Sequence, residues 1–327
     1  TAVFYPEREI KASSSATGIK VKWVGDLQNY WYFFDPYFSN SGLVEDTTVD
    51  NTLNLLSDRK VDLVFNSDSS QTTANLYTFD GKNYTLSQSN VNVNSLNALW
   101  RAGDSLFART TARTIYTNVP PTGTATGDYA VSLGNFTDSQ KSTLRPYLQS
   151  LDDTDAGKII SYTRGTDASG YRNRTITYSG VTNTWKLGDI VSSTPKIQSS
   201  IAINNYGNSY GDTSYNDFIK TSAYKNRNTV YVGANDGMLH AFSLGKITAK
   251  NKAFEKASIA ADPSYSLGSE QWAYIPSIAL PYLRYLADPN DEHIFTVDLT
   301  STLVDASIVG SSTSPENEIR SVGSWKT

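Results

Sequence analysis

Oxygen-bearing side chains recur between residues 46 and 58 at a spacing typical of calcium-binding loops. Counted from Asp46, they fall at positions 1, 3, 5 and 9 of an EF-hand-like loop, with Asn51 where such loops turn sharply. Two positions depart from the pattern, because Thr48 stands in place of an Asp and Ser57 in place of the bidentate Glu. The candidate calcium ligands are Asp46, Thr48, Asp50, Thr52, Asn54 and Asp58.

The same oxygen-rich loop (residues 46–58) has a second interpretation that needs no metal. Asp, Asn and Thr side chains also accept hydrogen bonds from nearby backbone N–H groups, and such Asx-turns commonly join two strands. If a cation binds, two or three carboxylates predict weak affinity of the extracellular kind. Both interpretations stay open at this point.

Catalytic chemistry finds little support in the sequence. The two histidines are His240, expected to pack inside a strand, and His293, expected on the surface. No GxSxG, HExxH, GxxxxGK[ST] or GxGxxG pattern is present, and the absence of cysteine excludes thiol catalysis and disulfides. We therefore expect no enzymatic activity.

Three further segments each have a functional and a structural interpretation. Asp152, Asp153 and Asp155 would form a second cation site or a glycosidase pair, but such clusters more often cap a helix. Arg172 and Arg174 would clamp an acidic partner or make hydrogen bonds within the fold. Residues 204–217, rich in Tyr, Asn and Gly, predict a recognition loop or a solvated insertion.

The element expected to organise the chain is a β-hairpin at residues 230–242, VYVGANDGMLHAF. Two apolar runs flank Asn235-Asp236-Gly237, whose residues accept positive φ. The later run WAYIP predicts a third strand, whose Trp272 would dock on the hairpin. This order of strands is typical of one blade of a β-propeller.

The remaining periodicity predicts a β-rich chain with a few helices. An aromatic run at 29–34 indicates a buried strand or an exposed adhesive patch. Predicted strands are 19–24, 60–65, 74–79, 82–86 (with a turn at Asp80-Gly81), 113–117, 175–178, 185–191, 197–203, 294–298 and 302–306. Predicted helices are 95–111 (interrupted near Gly103), 138–150, 155–162, 252–257 and 279–287, with Asp138 and Asp155 as N-caps.

Composition narrows the class of protein. The net charge of -4 offers no basic face for nucleic acid. No run of 18 apolar residues predicts a membrane span, and 21 Tyr, 12 Phe and 6 Trp favour a folded β-rich chain. The chain begins at Thr1 without Met or an apolar leader, which indicates processing or truncation.

Several motifs resemble the PilC/PilY family, whose members are associated with the tip and biogenesis of bacterial type IV pili. The most specific is GANDGMLHAF followed by WAYIPS. The others follow in the same order: WRAG at 100–103, RTIYT at 113–117, RG at 164–165, YRNR at 171–174, LGDI at 187–190, STP at 193–195 and FTVD at 295–298. The match is loose over the first hundred residues.

The resemblance implies a partial β-propeller with quinoprotein-like blades and inserted helices. It implies an N-terminal β-rich module at 1–110 and opening propeller blades at 111–327, with too few strands to close a ring. The implied function is adhesion and pilus assembly at the cell surface or pilus tip, with minor pilins and a host, mineral or glycan surface as partners. Similar blades also occur in quinone-dependent dehydrogenases, which is the alternative. Unpaired edges near the C-terminus would then pair with a pilin or a second copy.

Overall fold

The computed structural model describes residues 2–5, 23–35, 41–67, 71–119, 132–290, 293–308 and 320–327. The protein is mainly β, as expected. The predicted strand at 19–24 falls mostly outside the described residues, which include only Trp23 and Val24 of it. Val24 forms an isolated bridge to Gly188. In the described part of the chain, no helix is long and apolar enough to cross a membrane.

Strands alternate with short loops along the chain. Their bounds are β1 Ala2–Tyr5, β2 Asp26–Asn29, β3 Trp31–Phe33, β4 Gly42–Val44, β5 Thr52–Asn54, β6 Lys60–Asn66, β7 Gln71–Phe79, β8 Tyr84–Asn92, β9 Trp100–Arg101, β10 Ile115–Val119, β11 Ser132–Asn135, β12 Thr175–Tyr178, β13 Val181–Thr184, β14 Lys196–Gln198, β15 Thr229–Ala234, β16 Met238–Ser243, β17 Lys246–Ala249, β18 Glu255–Ala260, β19 Glu270–Ile275, β20 Ala306–Ser307 and β21 Trp325–Lys326.

The helices are short. The α-helices are α1 Ala102–Ala108, α2 Lys141–Leu144, α3 Asp153–Arg164, α4 Tyr206–Tyr210, α5 Thr213–Phe218, α6 Ser222–Lys225 and α7 Leu283–Ala287. 3₁₀ turns are found at Val93–Ser95, Asp138–Gln140, Ser277–Tyr282 and Val322–Ser324.

A six-stranded sheet lies at the centre, in the order β11-β10-β19-β16-β15-β14. Four of its strands, β14, β15, β16 and β19, are antiparallel neighbours, as in a propeller blade. Strand β10 then adds parallel to β19, so the sheet is larger than the predicted four-stranded blade. Among the described strands no ring of sheets closes, and the propeller stays a prediction.

The N-terminal half forms a five-stranded sheet, β3-β4-β6-β7-β8. Its hairpin between β7 and β8 confirms the predicted turn, where Asp80 accepts hydrogen bonds from the backbone N–H groups of Lys82 and Asn83. Smaller sheets are β1-β2-β9, β17-β18-β5, β12-β13 and β20-β21.

One face of the central sheet packs on two cores that lie side by side. Val230, Val232 and Ala234 alternate along β15, so all three point to one face and join a core with Leu27 and Trp100. Further across the same face, Ile275 and its neighbours on β19 and β10 pack on helices α2, α3 and α7, for example on Leu283. Because the first core contains residues from both sides of position 110, the two predicted modules share a core in the described residues; their boundary stays a prediction.

Several predicted helices and strands are wrong. Of 95–111 only α1 is α-helical, because the preceding residues Trp100 and Arg101 pair with β2. The helix runs through Gly103 without the predicted break. Residues 252–257 were expected to form a helix, but β18 forms there and pairs with β5 and β17. In place of the predicted helix at 138–150 there are only a 3₁₀ turn and the short helix α2. The N-cap of the 3₁₀ turn is Thr137 and not Asp138 as predicted.

The last predicted hairpin is also wrong. No strand is found at 294–298, and of 302–306 only Ala306 lies in a strand, β20, which pairs with β21 at the C-terminus. The segment 185–191 is not a strand either, and of the run 197–203 only Ile197 and Gln198 pair in the sheet, as part of β14. In 185–191 and 294–298, backbone N–H groups donate to side chains from elsewhere in the chain, and strand periodicity does not reveal such bonds.

Candidate functional site

The central hairpin forms as its sequence predicts. Strands β15 and β16 pair from Thr229 with Ser243 to Ala234 with Met238, and residues 235–237 make the turn. Gly237 has φ 89°, a conformation that glycine adopts without strain. Trp272 lies on β19, opposite Ala241 of β16, and its indole centroid lies 5.7 Å from the centroid of the Tyr231 ring. The docking of Trp272 on the hairpin is therefore confirmed.

Distant parts of the chain converge on Asn235 in the turn. Its side-chain Nδ2 donates to Asp189 Oδ2 at 2.8 Å, and its backbone N–H donates to the Asp189 carbonyl at 2.9 Å. Its Oδ1 accepts from the N–H of Thr296 at 3.0 Å. The segments LGDI and FTVD, separate in sequence, thus meet at the turn.

The carboxylate of Asp298 is a second anchor beside Asn235. It accepts hydrogen bonds from the backbone N–H groups of Val191, Ser192 and Ser193 at 2.8 to 3.0 Å. Asp298 is 4% exposed, so these bonds are shielded from water. They hold the 191–193 bend against the hairpin.

A chain of buried ionisable groups runs beneath the hairpin. Arg113 binds Glu270 through two hydrogen bonds of 2.7 and 2.8 Å. Glu270 also accepts from His240 Nδ1 at 2.8 Å, and His240 Nε2 lies 3.1 Å from both carboxylate oxygens of Asp236. The expectation that His240 packs inside a strand is confirmed, since it is fully buried.

The flanking carboxylates set the protonation of His240. Burial alone would lower its pKa, but Asp236 and Glu270 outweigh that effect and raise the pKa to about 9. For Glu270, burial would raise the pKa, yet Arg113 and His240 hold it well below its usual range. All of these groups therefore stay ionised near neutral pH. Each charged group is paired with an opposite charge within the network, so we interpret the network as structural.

The oxygen-rich loop connects β4 to β5 and continues to β6. Asp46 and Asp58 are buried, whereas Thr48 and Asp50 are exposed. Thr52 and Asn54 are partly buried. Asp46 accepts from the N–H groups of Asp50 and Asn51 at 3.2 and 2.9 Å. The loop therefore folds around its own carboxylates.

The other oxygens of the loop are used in the same way. Asp58 accepts from the N–H groups of Thr47 and Asn54 at 3.1 and 2.7 Å. Asp50 accepts from Thr52, and Asn54 from Leu56. Asn51 adopts φ 61°, the left-handed conformation predicted for it, and Val49 adopts φ 55°, which is strained for a β-branched residue. The bonds to Asp50 and Asn54 are Asx-turns, whereas Asp46 and Asp58 bind N–H groups farther along the loop.

Two observations bear on whether the loop fits a cation. The pKa of Asp58 is raised to about 6, first by burial and further by the negative charges of Asp46 and Asp50. Burial also raises the pKa of Asp46. A divalent cation would relieve this repulsion. However, the described residues contain no group of three or more His, Cys, Asp or Glu arranged to hold a metal ion. The loop fits a cation only if some of its N–H bonds open.

The acidic cluster at 152–155 caps a helix. Asp152 accepts from the N–H of Asp155 at 2.8 Å, and Asp155 accepts from the N–H of Leu151 at 3.2 Å. Asp153 binds Ser142 and Arg145. The N-cap of α3 is Asp152 and not Asp155 as predicted. The structural interpretation of this cluster is confirmed.

Arg174 and the histidine at 293 both lie inside the fold. Arg174 donates to Asp167 and to the carbonyl of Tyr162, and its guanidinium stacks on the Tyr162 ring at 3.7 Å. The expectation that His293 lies on the surface is wrong, because its side chain is only 14% exposed and Nε2 donates to Asp189 at 2.7 Å.

Sequence reasoning missed the ion chain and the two anchors at the turn. Arg113 and Glu270 are 157 residues apart, and neither lies in a motif associated with ion pairs. The one available signal was a charged residue on an apolar strand: Glu270 begins the run EQWAYI. A charge in that position demands a buried partner but does not say which.

Together these features define a β-sheet scaffold whose buried charges hold distant segments together. Of the curated proteins, a type IV pilus biogenesis factor PilY1 homolog from Xylella fastidiosa is 34% identical over 135 residues, which is 38% of this chain. The match covers 7% of the length of that relative. No family model matches the chain, and no solved structure matches it.

Proposed function

We propose that this chain is a nonenzymatic binding module of a type IV pilus, acting in surface adhesion and pilus assembly at the bacterial cell surface or pilus tip. The observation that carries the proposal is the similarity to the PilY1 homolog. Its partners are minor pilins or other pilus components, and a host, mineral or glycan surface. We further propose that β14, β15, β16 and β19 form one blade of a PilC/PilY-like propeller.

The region predicted as a recognition loop supports a role in binding. Residues 204–217 form the short helices α4 and α5, separated by Gly211 at φ 67°. Tyr210 is 78% exposed at the end of α4. Tyrosine suits such a position, because it offers a large contact surface and loses little conformational entropy on binding.

The base of this region is held firmly. Tyr215 and Tyr224 both donate from their hydroxyl groups to Asp305 Oδ2 at 2.8 Å. Tyr206 stacks on Trp325 with the ring centroids 5.6 Å apart. An exposed side chain on a fixed base is a preorganised contact, which lowers the entropy cost of binding.

We propose that calcium binding at the oxygen-rich loop modulates this function. Asp46, Thr48, Asp50, Thr52, Asn54 and Asp58 would hold the ion, and the buried, mutually repelling carboxylates support this assignment. Binding would require Asp46 and Asp58 to release some backbone N–H groups, so we expect weak affinity.

Allelic replacement in the bacterium that encodes the chain tests the proposal. One strain lacks the coding region of residues 1–327, and a second carries Tyr210→Ala. Sheared surface pili, twitching motility and attachment to host cells, glass and mineral are measured in each. We expect the deletion to reduce pili and attachment, and Tyr210→Ala to reduce attachment while pili remain.

A matched control is Leu151→Ala, which also removes a large exposed side chain, but from the segment before α3. It should leave attachment unchanged. If the deletion strain makes normal pili and attaches normally, the proposed function is wrong. If only Tyr210→Ala has no effect, the binding surface lies elsewhere on the scaffold.

A further inference from the structure

A small cavity lies beside the turn of the central hairpin, away from the oxygen-rich loop. Its volume is about 50 Å³. Its wall includes Trp23, Tyr162, Arg174, Trp185, Asp189 and His293. These residues come from segments far apart in sequence, and the contacts of Asn235 and Asp298 described above bring several of them together.

One oxygen in the wall has no hydrogen-bond donor among the described residues. Asp189 is 3% exposed, and its Oδ2 accepts from Asn235 and His293. Its Oδ1 is buried and unpaired. Burial raises the pKa of Asp189, although the bonds from Asn235 and His293 act in the opposite direction. A buried carboxylate oxygen without a donor is unfavourable, so the site favours a ligand that brings an N–H or O–H group.

An aromatic surface faces the same cavity. The Trp23 ring lies 4.3 Å from the His293 ring, and His293 in turn packs edge-on against Phe295 at 4.4 Å. Trp23 adopts φ 60°, which is uncommon for a bulky residue. Strained backbone of this kind persists where the surrounding contacts fix it, and it is concentrated at ligand sites.

The charged groups in the wall are of both signs, so they do not select an ionic ligand of either sign. Arg172, Arg174 and Lys186 lie in it together with Asp189 and Asp236. The Lys186 ammonium donates to the carbonyl groups of Leu106, Phe107 and Thr184, and Arg174 is bound as described above. A cation or an anion entering the cavity would meet a group of its own sign. A neutral ligand with hydroxyl groups avoids this repulsion.

We propose that this cavity binds a neutral sugar, which donates a hydroxyl group to Asp189 Oδ1 and lays the apolar face of its ring on Trp23. A volume of this size holds roughly three or four water-sized groups, so it accepts one edge of a pyranose and leaves the rest of the glycan outside. The inference deepens the proposed function and rests on it for its biological role, since a glycan surface is one of the partners proposed above.

Saturation-transfer NMR on the full chain tests this directly. The probes are the methyl glycosides of galactose, mannose and N-acetylglucosamine, with the methyl glycoside of N-acetylneuraminic acid and tetramethylammonium chloride as charged comparisons. We expect millimolar binding of at least one neutral glycoside. Asp189→Ala, which removes the acceptor of the incoming hydroxyl, and Trp23→Ala should each weaken it about tenfold or more. Tyr265→Ala, which truncates an exposed aromatic side chain outside the cavity, should leave it unchanged.

Circular dichroism and thermal melting verify that each variant is folded. If Trp23→Ala is not folded, Trp23→Gly replaces it, because glycine relieves the strained φ at this position. The proposal is overturned if no neutral glycoside binds, if only the charged compounds bind, or if binding survives both substitutions in folded protein. Those outcomes leave the pilus phenotypes of the deletion strain unaffected. Conversely, sugar binding by the purified chain with normal pili and attachment in the deletion strain would overturn the proposed function alone.

Discussion

His240 and Glu270 are joined across neighbouring strands of the central sheet by a hydrogen bond of 2.8 Å between Nδ1 and Oε1. A carboxylate only accepts hydrogen bonds, so the imidazole donates, and a protonated ring also donates from Nε2 to Asp236. The hairpin and the third strand are thus held together by charge as well as by backbone pairing.

Stability should depend on pH through His240. Its pKa is raised to about 9 in the folded protein, from about 6.5 when unfolded, so the folded state binds more protons between these values. The resulting stabilisation is complete below about pH 6.5 and is lost as the pH rises through 9, by at most about 1.4 kcal/mol per pH unit. Urea unfolding from pH 6 to 9.5 measures it.

His240→Gln is the comparison for this experiment. Glutamine does not titrate, so the difference in stability between wild type and variant should shrink as the pH rises. Lys186 has a pKa lowered to about 8, chiefly by burial, and acts in the opposite direction above that pH, but it contributes equally to both proteins. A difference that stays constant from pH 6 to 9.5 would show that His240 is not protonated in the fold.

Removal of the Glu270 charge should destabilise the protein strongly. Glu270→Gln leaves the buried guanidinium of Arg113 without its anion, which typically costs about 3–5 kcal/mol. Chemical denaturation at pH 7 gives the value. Glu255→Gln, which disrupts exposed pairs with Lys250 and Lys252, should change little. Equal effects of the two substitutions would contradict a structural role for the buried network.

Asp298 should hold the 191–193 bend. Asp298→Ala leaves the backbone N–H groups of Val191, Ser192 and Ser193 without an acceptor, at a cost of about 3 kcal/mol or more. Hydrogen exchange should accelerate at these three amides. Asp80→Ala is the matched control, because Asp80 also accepts from two backbone N–H groups but is exposed. Unchanged exchange at 191–193 in the Asp298 variant would refute the assignment.

Calcium affinity, if the oxygen-rich loop binds it, should fall as the pH is lowered. Asp58 has a pKa of about 6, and a protonated carboxyl is a poor ligand. Calorimetric titration should give a dissociation constant on the order of 10⁻⁴–10⁻³ M at pH 7.5, and a weaker one at pH 5.5. Asp50→Ala should abolish binding, whereas Asp62→Ala on β6, outside the loop, should not. Absence of heat at pH 7.5 would leave only the Asx-turn interpretation.

Local chemistry predicted the parts of the fold that depend on neighbouring residues. The turn at Gly237 and the hairpin at Asp80 are determined by a few adjacent residues, and both are present. The helix α3 was predicted as well, although its N-cap is Asp152 and not Asp155. The elements that failed, such as the strand at 294–298, are held by side chains from elsewhere: Asp298 binds 191–193, which its own neighbours do not reveal. Long-range pairing also explains why the buried chain beneath the hairpin was not found.

The parallel pairing of β10 with β19 has a consequence for folding kinetics. Thr117 and Ile275 lie 158 residues apart, yet the Thr117 hydroxyl donates to the Ile275 carbonyl within that pair. During translation β10 is synthesised long before β19. The parallel pair therefore cannot form until most of the sequence has been synthesised, and β10 lacks this partner until then. We therefore expect the central hairpin to fold early and β10 to join last.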